Sequence, residues 1–176
     1  MGSQPGDKMR NPDEQAWTPT TTGNFCIDQY EFPNRKGALP RTTVGLSDAE
    51  AACREAGKRL CQEEEWERAC KGPQMFKYPY GNEWGSDLCN TESALGEPRK
   101  VGVAGAFKQC RSGYGLADMS GNVAEWVTSK SGTVVKGGAA NKPDWAVRCA
   151  TRTHPPPGKK NHITGFRCCV EARSDE

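Results

Sequence analysis

The sequence predicts a small, loop-rich α+β domain held together by cross-links, and three observations lead there. Apolar residues make up 35% of the chain while glycine and proline number 20 and 12, a balance that leaves too little oily surface for a helical bundle. Only two stretches carry helix signatures, and both are short. The nine cysteines include no CxxC pair, and the two histidines come late, so the spacing argues for disulfides rather than a zinc ribbon. At 176 residues the chain fits one domain, read as spanning 24–172 with a disordered arm or linker at 1–23 and a tail at 173–176. A net charge of +2 argues against nucleic acid as a partner, and no apolar run of the length needed for membrane insertion occurs. Disulfides imply an oxidising compartment: extracellular, periplasmic or cell-surface, with any export signal already removed.

Taken in order, the arm is polar and proline-punctuated, with Trp17 its one large group able to pin it to the core. Phe25 to Phe32 reads as a strand, broken by Pro33. Ser47 opens the first helix, with Glu50 at the capping-box position. Ala49, Ala52, Cys53 and Ala56 form its buried stripe, and Gly57 ends it. The second helix, from about Gln62 to Lys71, turns Trp66, Ala69 and Cys70 inward and Glu63, Glu64, Glu65 and Glu67 largely to solvent. From Gly72 to Cys110 the chain is nearly all turn and needs staples or ions. A Cys89–Cys110 disulfide would close this loop and contribute roughly 2–4 kcal/mol. Thr133 to Lys136 is a short strand entering Gly137-Gly138.

Tyr114 to Trp126, YGLADMSGNVAEW, concentrates chemistry in one short span. Gly115, Gly121 and Asn122 permit positive φ, so the backbone can turn tightly and aim carbonyls inward between Asp118 and Glu125. Hard oxygens of this kind suit calcium. The same residues also describe a turn whose Met119, Val123 and Trp126 fill a core while the acids face water.

GNVAEW, together with FCIDQYEFPN (25–34), GKRLCQEEEWERAC (57–70), YPYG (78–81), VKGG (135–138) and GFRCC (165–169), resembles the formylglycine-generating enzyme (sulfatase-modifying factor) family. The likeness runs from Phe25 to Val170 with its blocks in order. It implies a variant of the C-type lectin fold with two short helices and small antiparallel sheets, often calcium-bound. Calcium ligands carried over are Asp118, Gly121, Val123 and Glu125, with Asn90 and Thr91 starting a second site. It also implies Cys53–Cys168 and Cys70–Cys149 disulfides. Of the remaining Cys26, Cys61 and Cys169, a Cys26–Cys61 pair is favoured, which leaves Cys169 over.

The resemblance fails where the family does its chemistry. The working enzyme places two cysteines shortly after the glycine pair and holds copper between their thiolates. This chain reads AANKPDWAVRC from Ala139 to Cys149, and Cys149 matches a structural cysteine. Relatives using non-haem iron need several histidines, or two with a carboxylate, converging on one metal, whereas His154 and His162 bracket an exposed PPPGKK tip. The expected function is therefore a catalytically silent, calcium-stabilised binding module for a protein or peptide ligand. Its ligand surface is the 139–164 loop, with Trp145, Arg148, Arg152, His154, Lys159 and Lys160 as contact residues. The alternatives are an active oxidoreductase of the family with a non-standard site, or an accessory domain of a larger kinase or secretion protein.

Overall fold

Period-two alternation and eight cysteine thiols lay out two small sheets with a helix on each face of one of them. The computed structural model describes residues 15–20 and 23–172, with side chains from Asn24 onward, so the expected roles of Trp17, of residues 1–14 and of the tail at 173–176 lie outside the described residues. Within the segment read as an arm, Gln15–Thr20 forms β1 and pairs along its length with β2 (Gly23–Asp28). With β3 (Arg59–Leu60) and β8 (Cys168–Glu171) they make an antiparallel sheet in the order β1-β2-β8-β3. The second sheet, in the order β6-β5-β4-β7, comprises β4 (Ala124–Val127), β5 (Val134–Lys136), β6 (Arg152–Thr153) and β7 (Thr164–Phe166). It departs from the all-antiparallel expectation at one edge. The chain leaves β6 through a long loop, crosses to the far side of β4, and so arrives there parallel to it.

The first helix, α1, spans Leu46–Glu55, and its cap lies two residues earlier than expected. Asp48 rather than Glu50 reaches back, its Oδ2 accepting from the Gly45 N–H at 2.9 Å. Gly57 at φ +73° ends the helix as predicted. The second helix, α2, spans Glu63–Lys71, with Glu65 accepting from the Gln62 N–H at 2.8 Å. Its glutamates are only in part a solvated face, with Glu64 exposed and Glu67 half-buried. Glu63 and Glu65 are buried, because Arg59 and Arg152 arrive from outside the helix to pair with them.

Alternation on β4 and β5 separates two cores. Ala124, Trp126 and Val135 face α1 and pack with Val44, Ala49, Ala52, Cys53 and Phe166. Val127 and Val134 face the opposite way, onto Trp66, Ala69, Cys70 and Met119. Residues 72–123 contain no helix or strand. Cys89–Cys110 staples this segment, and Arg99 gathers it by donating to the carbonyls of Ser86 and Thr91 while pairing with Asp87.

Cys53–Cys168, Cys70–Cys149 and Cys89–Cys110 form as expected, and the fourth bridge is Cys61–Cys169. The favoured Cys26–Cys61 pair is corrected by sheet order. β2 and β3 flank β8 on opposite edges, so Cys26 and Cys61 stand two strand spacings apart, about 9–10 Å, beyond the ~7 Å reach of a disulfide. Cys169 is therefore bridged, and Cys26, buried on β2, lies outside the four disulfides. Four disulfides fit an oxidising compartment. No helix among the described residues is long and apolar enough to cross a membrane.

Cys53–Cys168 and Cys61–Cys169 tie the same strand to nearly the same stretch of chain. With either intact, the other closes a loop of only about ten residues. Replacing either pair by alanine is therefore expected to cost about 3 kcal/mol, and replacing both about 7 kcal/mol, more than the sum of the two. Denaturant midpoints of the two double variants and the quadruple variant check this.

Candidate functional site

The turn at 117–126 delivers its acids inward. Asp118 and Asn122 both adopt positive φ, as does Gly121 at φ +76°, where an added Cβ would lie 2.1 Å from the Asn90 carbonyl oxygen. Only glycine permits that approach, so the turn and the 89–91 loop lock together, and the Asn122 N–H donates to the same Asn90 carbonyl at 2.8 Å. Asp118, Asn122 and Glu125 are then all buried, with Glu31 beside them.

Arg167, fully buried, stands at the centre of this cluster. Its Nε and Nη2 donate to the two oxygens of Glu125, each at 2.8 Å, as a bidentate pair. Nη2 also reaches the Ala117 carbonyl at 2.9 Å, and Nη1 the carbonyls of Asp28 and Gln29 at 3.1 and 3.3 Å. Trp66 adds its indole N–H to Glu125 Oε2 at 2.6 Å. Glu31 accepts from Asn122 Nδ2 at 2.7 Å and from the Val123 N–H at 3.3 Å, and Asp118 accepts from the Gly105 N–H at 2.7 Å.

These residues do not fit the calcium ion expected at Asp118, Gly121, Val123 and Glu125. Both Glu125 oxygens already hold the Arg167 guanidinium, and a divalent cation there would face that positive charge at close range. Asn90 and Thr91, expected to start a second site, lie beside this turn. Asn90 Nδ2 donates to the Lys100 carbonyl and to Asn122 Oδ1, both at 2.9 Å, while the Thr91 carbonyl accepts from Arg99 at 3.1 Å. Among the described residues, no three His, Cys, Asp or Glu side chains converge as a metal site. Sequence reasoning weighed oxygen ligands and overlooked the arginines. Arg167 and Glu31 lie inside GFRCC and FCIDQYEFPN, and nothing local in the sequence marks either side chain as buried.

Three carboxylates thus surround one guanidinium. Burial pushes the Glu31 carboxyl well above the usual range, reinforced by the charges of Asp118 and Glu125 and opposed by Arg167 and Asn122. Burial also pushes Asp118 up, against the Gly105 N–H and Arg167.

A separate cavity of about 220 Å³ opens at the other face of the second sheet, within the expected ligand region. Ala124, Val135 and Ile163 give it an apolar floor, and Lys142, Lys159 and Asn161 are among its polar lining. Of the six residues expected to contact a ligand, only Lys159 lines it. Trp145, on a single 3-10 turn at Asp144–Ala146, stands 63% exposed beside it. Arg148 donates to Tyr78 Oη at 3.3 Å and pairs with Asp144 at 3.4 Å. Arg152 pairs with Glu63 at 2.8 Å, and Lys160 with Asp48 at 2.7 Å. His154 Nδ1 lies 3.1 Å from the Thr133 carbonyl, and both histidines are exposed. Gly137 and Gly138, at φ +82° and +64°, turn the chain into the loop, where a Cβ on Gly138 would lie 2.6 Å from the Ala146 carbonyl oxygen. Lys142 was not anticipated, since nothing in the sequence marks which lysines the loop turns toward its own concavity.

Arg167→Met leaves Glu125 buried without its cation and is expected to cost about 3–5 kcal/mol, read from urea denaturation. Glu31 and Asp118 also predict a pH dependence. Their folded pKa values lie above the unfolded ones, so the native state keeps protons that the unfolded chain releases. Their contribution is full below the ordinary carboxylate range and is lost as pH rises through the raised values. Melting temperature should fall over that window in the wild type and fall less in Glu31→Gln, with the difference between the two curves isolating Glu31.

Comparison with known proteins places this geometry. Residues 6–172 match the model of the sulfatase-modifying factor enzyme 1-like domain. The formylglycine-generating enzyme of Mus musculus is 32% identical over 75% of the chain and 44% of its own length. The inactive C-alpha-formylglycine-generating enzyme 2 of Bos taurus is 31% identical over 92% of the chain and 58% of its own length. The chain thus spans about half the length of these relatives. Among solved structures, Treponema denticola variable protein 1 superposes with a TM-score of 0.72 over 85% of each chain at 19% identity, a likeness of fold alone. With the family model matched from one end of the described fold to the other, the chain belongs to the sulfatase-modifying factor enzyme 1-like domain family.

Proposed function

We propose that this domain is a catalytically silent binding module that recognises a protein or peptide ligand through its 139–164 loop, outside the cytosol. The observation that carries the reading is the cavity itself. It lies within that loop's walls, and its lining includes no cysteine, histidine, aspartate or glutamate, so it offers no thiolate, imidazole or carboxylate to a bound molecule. The one cysteine of the loop, Cys149, is oxidised against Cys70. A concave surface with an apolar floor and a few polar groups, carried on a cross-linked scaffold, suits recognition. The similarity to a protein named as an inactive formylglycine-generating enzyme supports the same reading.

The similarity to a formylglycine-generating enzyme favours the second reading, an oxidoreductase with a non-standard site. Aerobic incubation with copper and a cysteine-containing peptide separates the two by mass spectrometry. The peptide is expected to remain unconverted, and an aldehyde product formed over many turnovers would overturn the binding-module reading. Selection from a random peptide library should in turn yield ligands that protect the 139–164 amides from hydrogen exchange. Arg167, not calcium, supplies the fixed positive charge at the 117–126 turn in this proposal. The melting temperature should therefore match in EDTA and in excess calcium, whereas calcium binding the native state at 100 times its Kd would add about 2.7 kcal/mol.

A further inference from the structure

The basic residues around the ligand loop fall into two groups. Arg148, Arg152 and Lys160 are each committed to a carboxylate of the domain itself, on Asp144, Glu63 and Asp48. Lys142 and Lys159 are in no ion pair among the described residues, and both line the 220 Å³ cavity, which no acidic residue lines. Asn161 adds a further donor. Its Oδ1 accepts from the Ile163 N–H at 3.0 Å, which leaves its Nδ2 for another acceptor. Between these donors the floor is apolar, formed by Ala124, Val135 and Ile163.

Size and chemistry together narrow the occupant. A cavity of about 150 Å³ takes a benzene-sized molecule, and drug-sized ligands need about 300 Å³ or more. A space of 220 Å³ therefore holds roughly one amino-acid residue. An acidic side chain alone would match the lysines and leave the floor unfilled. An internal apolar residue would fill the floor and leave two ammonium groups without a counter-charge. The terminal residue of a chain satisfies both at once, with its side chain against the floor and its α-carboxylate on the lysines and Asn161.

We propose that the cavity captures the C-terminal residue of a peptide or protein ligand, a small or medium apolar residue whose free α-carboxylate is held by Lys142, Lys159 and Asn161. This rests on the binding-module reading and gives it a ligand class. The site acts by charge complementarity, so binding weakens as salt is raised.

The test uses two five-residue peptides of identical sequence, Ac-GSTVL with a free C-terminus and the same peptide as its C-terminal amide, titrated into the whole chain by NMR. The free acid is expected to shift the amides of Ala139, Lys142, Lys159 and Ile163 and to bind about tenfold or more tightly than the amide. In Lys142→Gln/Lys159→Gln, whose changes lie at exposed positions and should leave the melting temperature unaltered, the acid should bind no better than the amide. Equal binding of acid and amide to the wild type overturns the carboxylate assignment while leaving the loop as a binding surface. Binding of neither peptide, alongside library-selected peptides that still protect the loop, also overturns it without touching the broader reading. Acid-selective binding that survives loss of both lysines would overturn the site.

Discussion

One buried ion pair, Arg167 with Glu125, is the joint on which the two sheets meet. Arg167 sits between β7 and β8, the last strand of each sheet, and its five donors reach the end of β2, the 117 turn and β4. Trp66 brings α2 to the same carboxylate. Such a pair is expensive to desolvate and holds only when every remaining donor and acceptor is satisfied, as here. Its value is placement, because backbone carbonyls from two separate segments and the carboxylate of a third must converge on the guanidinium. A lysine could not do this, having one point of charge where Arg167 has a planar fork.

The same economy appears throughout the domain. The apolar clusters are small and lean on cysteine and alanine, so cross-links and charge-assisted contacts take over work that a larger oily interior would do. Lys136 shows how closely these are fitted. Fully buried on β5, it pairs with Glu67 at 3.0 Å and lies over the Trp66 ring, on the same face of the sheet as Glu125. Burial pulls its ammonium pKa down while Glu67 and Glu63 push it back. Its partner helix thus presents glutamates to the sheet as well as an apolar stripe.

Much of the fold was legible in the sequence, for reasons that differ by element. The helices declared themselves through Gly57, the alanine stripe and Trp66, because local periodicity and stop signals are properties of short windows. Cys89–Cys110 followed from the loop it had to close. Cys61–Cys169 did not, because it depends on β3 and β2 taking opposite edges of β8, a matter of sheet order that no window contains. The glutamates of α2 misled for the same reason, since Arg59 and Arg152 come from outside the helix. At the acidic turn the residue types pointed to a cation, and a cation is there, but it is carried on Arg167, more than forty residues away.

Cys70–Cys149 has a consequence for the loop it enters. It fastens the loop at mid-span to α2, so the stretch from Ala139 to Thr164 is two short arcs instead of one long excursion. Reduced, the middle of the span would keep only non-covalent ties, among them the Cys149 N–H on the Lys77 carbonyl, the Ser120 hydroxyl on the Val147 carbonyl, Arg148 on Tyr78 and the Arg152–Glu63 pair. The contour of the ligand-facing side is accordingly written by the thiol chemistry of its surroundings, and the same polypeptide moved to a reducing milieu would present a different face.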